Sequence, residues 1–335
     1  MEPTELLPVK QGGRCGYINS AGGVVVAIKF NIVLPFSEGR APAEFNGKWG
    51  YIDMCGDIVI DPRFESAWPF AEGLAAVKID GKWGYINRKG DIVVQPQFEE
   101  QSVFVDGLAV ITIDGKRGYI DKTGGIAIEP RFDKASYFKN EMARVEIEGR
   151  TFYIDKTGST IIGGFDYIGN FDEGLAPIKQ KLLWGYINTA GEVVIQPRFD
   201  AAHIFAEGLA AVKVNDRFGF IDVNGEFVIK PEFDFTISFS DDFAAVVYGT
   251  QTGYIDKTGK MVIEPLFDFG GSFNEGLAPV RIGKKWSYIN KSGDYICDTI
   301  FDEAESFSNG VARVEIDDKR GYINTKGEYI WEPVE

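Results

Sequence analysis

The stretch LAAVKIDGKWGYINRKGDIVVQP, from Leu74 to Pro96, holds three runs of five or six residues rich in Val, Ile, Tyr and Trp. Turns carrying Gly with Asp or Asn part them. β-Branched and aromatic runs bounded by such turns are the signature of strands joined in hairpins. In chain order they are strand C (Leu74 to Ile79), strand A (Lys82 to Asn87) and strand B (Asp91 to Gln95). Asp80-Gly81 joins C to A as a short-hairpin signal. Asn87-Arg88-Lys89-Gly90 joins A to B. A type I turn favours Asn or Asp first, and the left-handed residue that closes it favours Gly. The stretch predicts a three-stranded antiparallel meander.

The same text returns along the whole chain. The aromatic of Gly-Tyr-Ile falls at Tyr17, Tyr51, Tyr85, Tyr119, Tyr153, Tyr186, Phe220, Tyr254, Tyr288 and Tyr322. Eight of the nine intervals are 34 residues and one is 33, so the chain is one array of ten repeats rather than two or three ordinary domains. Helical arrays share this period, but the strand chemistry within it, repeated from Leu277 to Thr299, rejects them. Asp or Asn opens every A-to-B turn and Gly closes it, from Asn19 and Gly22 to Asn324 and Gly327. The connection from B to the next C carries two Phe columns, such as Phe64 and Phe70, which predict rings plugged between neighbouring units. Ala at the second position of strand C, from Ala41 to Ala312, predicts close packing there.

Composition narrows the function classes. Fifty acids against 35 bases give a net charge of −15, which repels phosphate backbones and anionic lipid and argues against nucleic acid as a partner. No apolar run reaches the roughly 18 residues of a spanning helix, so membrane insertion is not expected. Cys15, Cys55 and Cys297 are too scattered for a disulfide framework. Met1-Glu2-Pro3-Thr4 lacks a basic and apolar leader, so the expected location is cytoplasmic; a leader removed before residue 1 would leave no trace here.

Gly47-Lys48-Trp49-Gly50-Tyr51-Ile52-Asp53 and Gly81 to Asn87, followed by Val-Ile-x-Pro-x-Phe and Phe-x-Glu-Gly-Leu-Ala, resemble the WG (KWG) repeat family of bacterial proteins over the whole chain. The resemblance implies repeated β units and brings no catalytic or ligand residues. The Trp column departs from the pattern, reading Cys15, Trp49, Trp83, Arg117, Thr151, Trp184, Phe218, Thr252, Trp286 and Arg320. Arg and Thr there suggest a column at least partly at the surface. The fifth copy, Ile161-Ile162-Gly163-Gly164-Phe165, loses a residue and its proline, which marks a seam near 161–165 in an otherwise single array over 1–335.

The expected architecture is all-β, ten three-stranded meanders in an open solenoid-like array, with a closed propeller-like ring as the alternative. Ten blades exceed the usual four to eight, which favours the open form. The expected function is a non-enzymatic scaffold for protein–protein contact, with a carbohydrate or cell-wall binding module as the alternative. Variable columns on a fixed frame make a recognition face, and large aromatics anchor interfaces. The candidate binding residues are Trp49, Trp83, Trp184, Trp286, Trp68, Tyr137 and His203. Ser102 and Arg117, in the same variable columns, are expected to meet solvent. His203 is the only histidine and has no partners clustered in sequence, so no catalytic residue is assigned. The acidic columns of Asp53, Asn87 and Asp121 and of Glu72, Asp106 and Glu173 read as turn and loop chemistry. Calcium needs six to eight converging oxygens, so no metal or cofactor is expected.

Overall fold

The computed structural model describes residues 6–297 and 301–333. The leader reading at 1–5, residues 298–300 within the third run of the 277–299 copy, and residues 334–335 lie outside that description. Residues 6–164 and 165–333 form two compact units. Among the described residues the chain builds ten antiparallel sheets, one per repeat, numbered here one to ten from Tyr17 to Tyr322.

The expected unit is short by one strand. In repeat three the sheet order is a two-residue strand, Ser66–Ala67, then C (Leu74–Ile79), A (Lys82–Asn87) and B (Ile92–Phe98). Seven of the ten sheets have this four-stranded form. The extra strand is cut from the connection, where two residues pair back onto C, as in Ser66 with Lys78 and Ala67 with Val77. No ladder joins one sheet to the next among the described residues, so within each unit successive repeats meet through side chains that pack on their neighbours or bond to their backbone. A β-helix would stack its repeats through continuous ladders. A self-contained four-stranded meander is the form of a propeller blade, the alternative to the open array.

Strand B runs further than expected because it carries a bulge. Trp83 opposes Phe98 and Tyr85 opposes Val94, which leaves Gln95-Pro96-Gln97 facing Gly84 alone. The bulge takes a residue without an N–H out of the ladder and keeps the edge strand from pairing further. It also explains the Gly of Trp-Gly. A Cβ on Gly84 would sit 2.5 Å from the Val94 carbonyl oxygen and 2.7 Å from the Pro96 nitrogen. Repeat one has Ile28 for the proline and keeps Gly16, but in the other two repeats without the proline the glycine changes. Repeat five has Phe152 in that place, and a Cβ on Gly163 would lie 2.7 Å from its ring. Repeat nine has Ser287, whose hydroxyl donates to the Cys297 carbonyl at 3.3 Å.

The core lies between successive sheets. Tyr51, Ile60 and Phe64 of repeat two pack with Ala67, Phe70, Ala75, Val77 and Ile86 of repeat three. The A-strand ring meets the second Phe of the following connection, as in Tyr51–Phe70 and Tyr85–Phe104, both at 4.9 Å. Each such Phe contributes roughly 1.5–3 kcal/mol by burial. The Ala column is buried throughout, which leaves room for the neighbouring sheet.

Candidate functional site

The recurrent polar groups are occupied with holding the frame. Asp53 Oδ1 accepts from the N–H groups of Cys55 and Asp57, an Asx turn repeated by Asn87, Asp121 and Asn188. Thr123 adds a hydroxyl bond to Asp121 and helps hold that carboxyl below its usual range. The second acidic column links repeats. The Glu38 carboxylate accepts from Gly73 N–H, Glu72 from Gly107, Glu173 from Gly208 and Glu275 from Gly310, each 35 residues on. These glutamates adopt positive φ, between 46° and 55°, to aim their carboxylates at the next loop. Buried A-strand tyrosines hold the connections. Tyr51 Oη donates to the Trp68 carbonyl at 2.8 Å, Tyr186 to His203 at 2.8 Å and Tyr254 to Gly271 at 2.9 Å. Burial raises the pKa of all three phenols, which therefore stay donors. Repeat seven has Phe220 instead, and there the buried Thr236 hydroxyl has one proton to give, within reach of the Ala245 carbonyl at 2.8 Å and the Ile237 carbonyl at 3.1 Å.

What varies is a niche beside the two-residue strands. In the second unit it measures about 340 Å³ and is lined by Tyr167, Gly169, Asn170, Pro177, Trp184, Ala202, His203, Ile204 and Ser238. Seven of these positions have counterparts exactly 67 residues earlier, two repeats back, in a niche of about 380 Å³ in the first unit. There Glu100, Ser102, Val110, Arg117, Ala135, Ser136 and Tyr137 replace Tyr167, Gly169, Pro177, Trp184, Ala202, His203 and Ile204. One frame thus carries an aromatic lining in one place and a polar one in another.

The second-unit niche brings together two residues singled out from sequence, Trp184 and His203. Trp184 is half-buried, stands edge-on to the exposed Tyr167 at 5.6 Å, and lies under Lys179 Nζ at 5.8 Å. The half-buried His203 ring lies 5.5 Å from Phe218 and 6.4 Å from the exposed Phe235. Desolvation lowers its pKa, so the imidazole is neutral at pH 7. Trp286 is half-buried against Phe269 and Arg281. Trp68 and Tyr137 are exposed on connections, at 39% and 49%. Trp49 is half-buried against the cluster of Tyr51 and Phe64.

Two expectations need correction. Trp83 is only 8% exposed and belongs to the core with Phe98 and Phe104, so it is no surface anchor. Ser102 is 7% exposed rather than open to solvent, because it is enclosed in the lining of the first-unit niche. Ile86, Phe98, Phe104 and Ala109 are buried, as the constant columns required, and Arg117 is half-buried. The Trp column tolerates Arg and Thr because its depth varies from repeat to repeat: Thr151 and Thr252 are buried like Trp83, Arg117 is half-buried and Arg320 is exposed. Lys78, Lys179, Lys213 and Arg281 stand over Trp83, Trp184, Phe218 and Trp286, at 5.8–6.0 Å. Arg320 faces Glu315 instead.

Tyr167, Phe235 and Phe269 escaped the sequence reading. They share one column, the first residue of the two-residue strand, and are 38–48% exposed. Their signal was an aromatic directly after Phe-Asp, where earlier repeats place Ser66, Glu100 and Lys134.

The WG containing repeat matches nine times, over residues 16–49, 49–83, 83–116, 118–150, 152–181, 184–217, 218–249, 253–286 and 286–319. The chain belongs to the WG-repeat family. The family repeat starts within strand A, so ten sheets yield nine whole matches and a remainder. No curated protein matches this WG-repeat chain in sequence. Among solved structures, that titled as the eukaryotic initiation factor aligns with 90% of this chain and 97% of its own, at 12% identity and a TM-score of 0.52. This likeness shows fold alone. It overturns the open array in favour of the alternative, a β-propeller fold in which each sheet is a blade. Apo AztD from Citrobacter koseri (16% identity, 87% of this chain, 93% of that one, TM-score 0.33) and Kluyveromyces lactis Hsv2p (9%, 67%, 92%, 0.35) are also similar.

Proposed function

We propose that this WG-repeat protein is a non-enzymatic scaffold that binds another protein through the exposed aromatic column of its second unit and the niche beside it. One observation carries the reading. Tyr167, Phe235 and Phe269 expose their rings at one position of the frame, next to Trp184, His203 and Trp286. Aromatic side chains in this setting bring large contact area at low entropic cost and are the usual interface anchors. The frame's carboxylates and phenols support the same reading, since turns, latches and connections already engage them.

The test is affinity capture with quantitative mass spectrometry, comparing the natural chain with a Tyr167→Ser, Phe269→Glu double variant. Both substitutions are residues this column already holds, at Ser66 and Glu303. A partner recovered with the natural chain and depleted about tenfold with the variant supports the reading. A partner set indifferent to the change refutes it.

A further inference from the structure

The polar niche in the first unit has a chemistry of its own. Its lining offers a carboxylate (Glu100), an amide (Gln101), hydroxyls (Ser102, Thr112, Ser136), a guanidinium (Arg117) and a phenol (Tyr137). Some of these are committed. Thr112 Oγ1 donates to Glu100 at 3.0 Å, and Ser136 Oγ donates to the Tyr137 carbonyl and accepts from Arg144 N–H. Among the described residues, Arg117 makes one hydrogen bond, a long one to the Ala135 carbonyl at 3.5 Å. The Ser102 hydroxyl is buried and has no hydrogen-bond partner, although the same residue's carbonyl accepts from Tyr85. A buried hydroxyl left unpaired is costly, so such a group marks a place where a ligand atom completes the structure.

The charges select the ligand class. An anion entering beside Arg117 also meets the Glu100 carboxylate, which Thr112 fixes in place. A cation drawn to Glu100 meets Arg117. The two cancel, and what remains is a neutral lining rich in both donors and acceptors. The wall beside them is the exposed Tyr137 ring, an apolar face for C–H groups. A volume of about 380 Å³ is at the small end of ligand pockets and has room for one ring-sized unit. We infer that this niche binds a single neutral, hydroxylated sugar ring, with its C–H face on Tyr137 and its hydroxyls on Ser102, Glu100 and Arg117. The equivalent niche in the second unit has Gly169, Trp184 and Ile204 at these places and lacks that chemistry. The inference does not depend on the protein-scaffold reading.

The experiment uses the full-length chain on an array of immobilised neutral mono- and oligosaccharides, followed by titration calorimetry with the best free monosaccharide. Three variants accompany it. Arg117→Thr installs the residue this column already holds at Thr151 and Thr252, Tyr137→Ala removes an exposed ring, and Trp184→Ala alters the other niche. Circular dichroism melting checks that each is folded. Binding of at least one neutral glycan, weakened tenfold or more by Arg117→Thr and by Tyr137→Ala and unchanged by Trp184→Ala, supports the inference. It is overturned if no neutral glycan binds, if only charged glycans bind, or if Arg117→Thr and Tyr137→Ala bind as well as the natural chain. Binding on the array without binding of the free monosaccharide assigns the site to a residue within a glycan chain. Binding of both assigns it to the sugar unit itself.

Discussion

Gly90 and Gly107 separate backbone strain from packing in this fold. Both adopt positive φ, +88° and +85°, so Ala at either place meets the left-handed penalty of about 1–2 kcal/mol. The surroundings differ. A Cβ on Gly90 would lie 3.0 Å from Ile60 Cγ2 and 3.3 Å from Arg63 Nη2, across the gap between repeats two and three. Arg63 Nη2 also donates to the Gly90 carbonyl at 2.6 Å, so it is not free to retreat. A Cβ on Gly107 meets nothing within 4 Å. Overpacking adds roughly 1–3 kcal/mol, so Gly90→Ala should cost about 2–5 kcal/mol against about 1–2 for Gly107→Ala. Guanidinium unfolding measures both, with amide exchange at Ile60 as a local readout, because arrays need not unfold in two states. Equal losses at the two glycines would show that the A-to-B turn does not seat against the preceding sheet.

Trp83→Ala should destabilise by about 3–5 kcal/mol as a core truncation, whereas Trp68→Ala should stay near 0.5 kcal/mol or below; thermal melting of the pair checks this. Tyr254→Phe should cost about 1 kcal/mol through the lost bond to the Gly271 carbonyl. Thr236→Val should cost a similar amount, since it removes the one proton that bonds the Ala245 carbonyl, and denaturant midpoints compare them. His203 has a depressed pKa in the folded chain, so the unfolded chain binds the extra proton first as pH falls. Its neutral burial therefore gives full stability above its unfolded value of about 6.5, and part is lost as pH drops from there through the folded pKa. Melting temperatures from pH 8 to 5 should show this step in the natural chain and not in His203→Ser.

The sequence announced what is local. The Asx turn of Asp53 and the left-handed Gly90 each rest on neighbours within four residues, so the turn text alone reveals them. The Glu72 to Gly107 latch was hidden because it spans 35 residues, and Glu-Gly at a strand entrance reads as loop chemistry. The two-residue strands leave no periodic pattern, which is why a four-stranded blade looked three-stranded. Trp83 looked exposed because Arg117 and Thr151 share its column. The missing information was how deep each copy of the column sits: Thr151 is as buried as Trp83, whereas Arg320 is exposed against Glu315. Open array against propeller is decided by how one sheet packs on the next, and no single repeat's residues encode that.

The central claim is that binding lives at the variable positions beside the two-residue strands and not on the exposed apolar strand B. The most direct measurement is quantitative capture by three chains: the natural one, Tyr167→Ser with Phe269→Glu, and Ile58→Thr with Val59→Thr, where the exposed strand-B residues are 48% and 37% accessible. The account predicts that the first double variant loses its partner about tenfold while melting within about 2 °C of the natural chain, and that the strand-B variant keeps the partner. Loss of the partner with the strand-B variant and its retention with the aromatic-column variant would contradict the account.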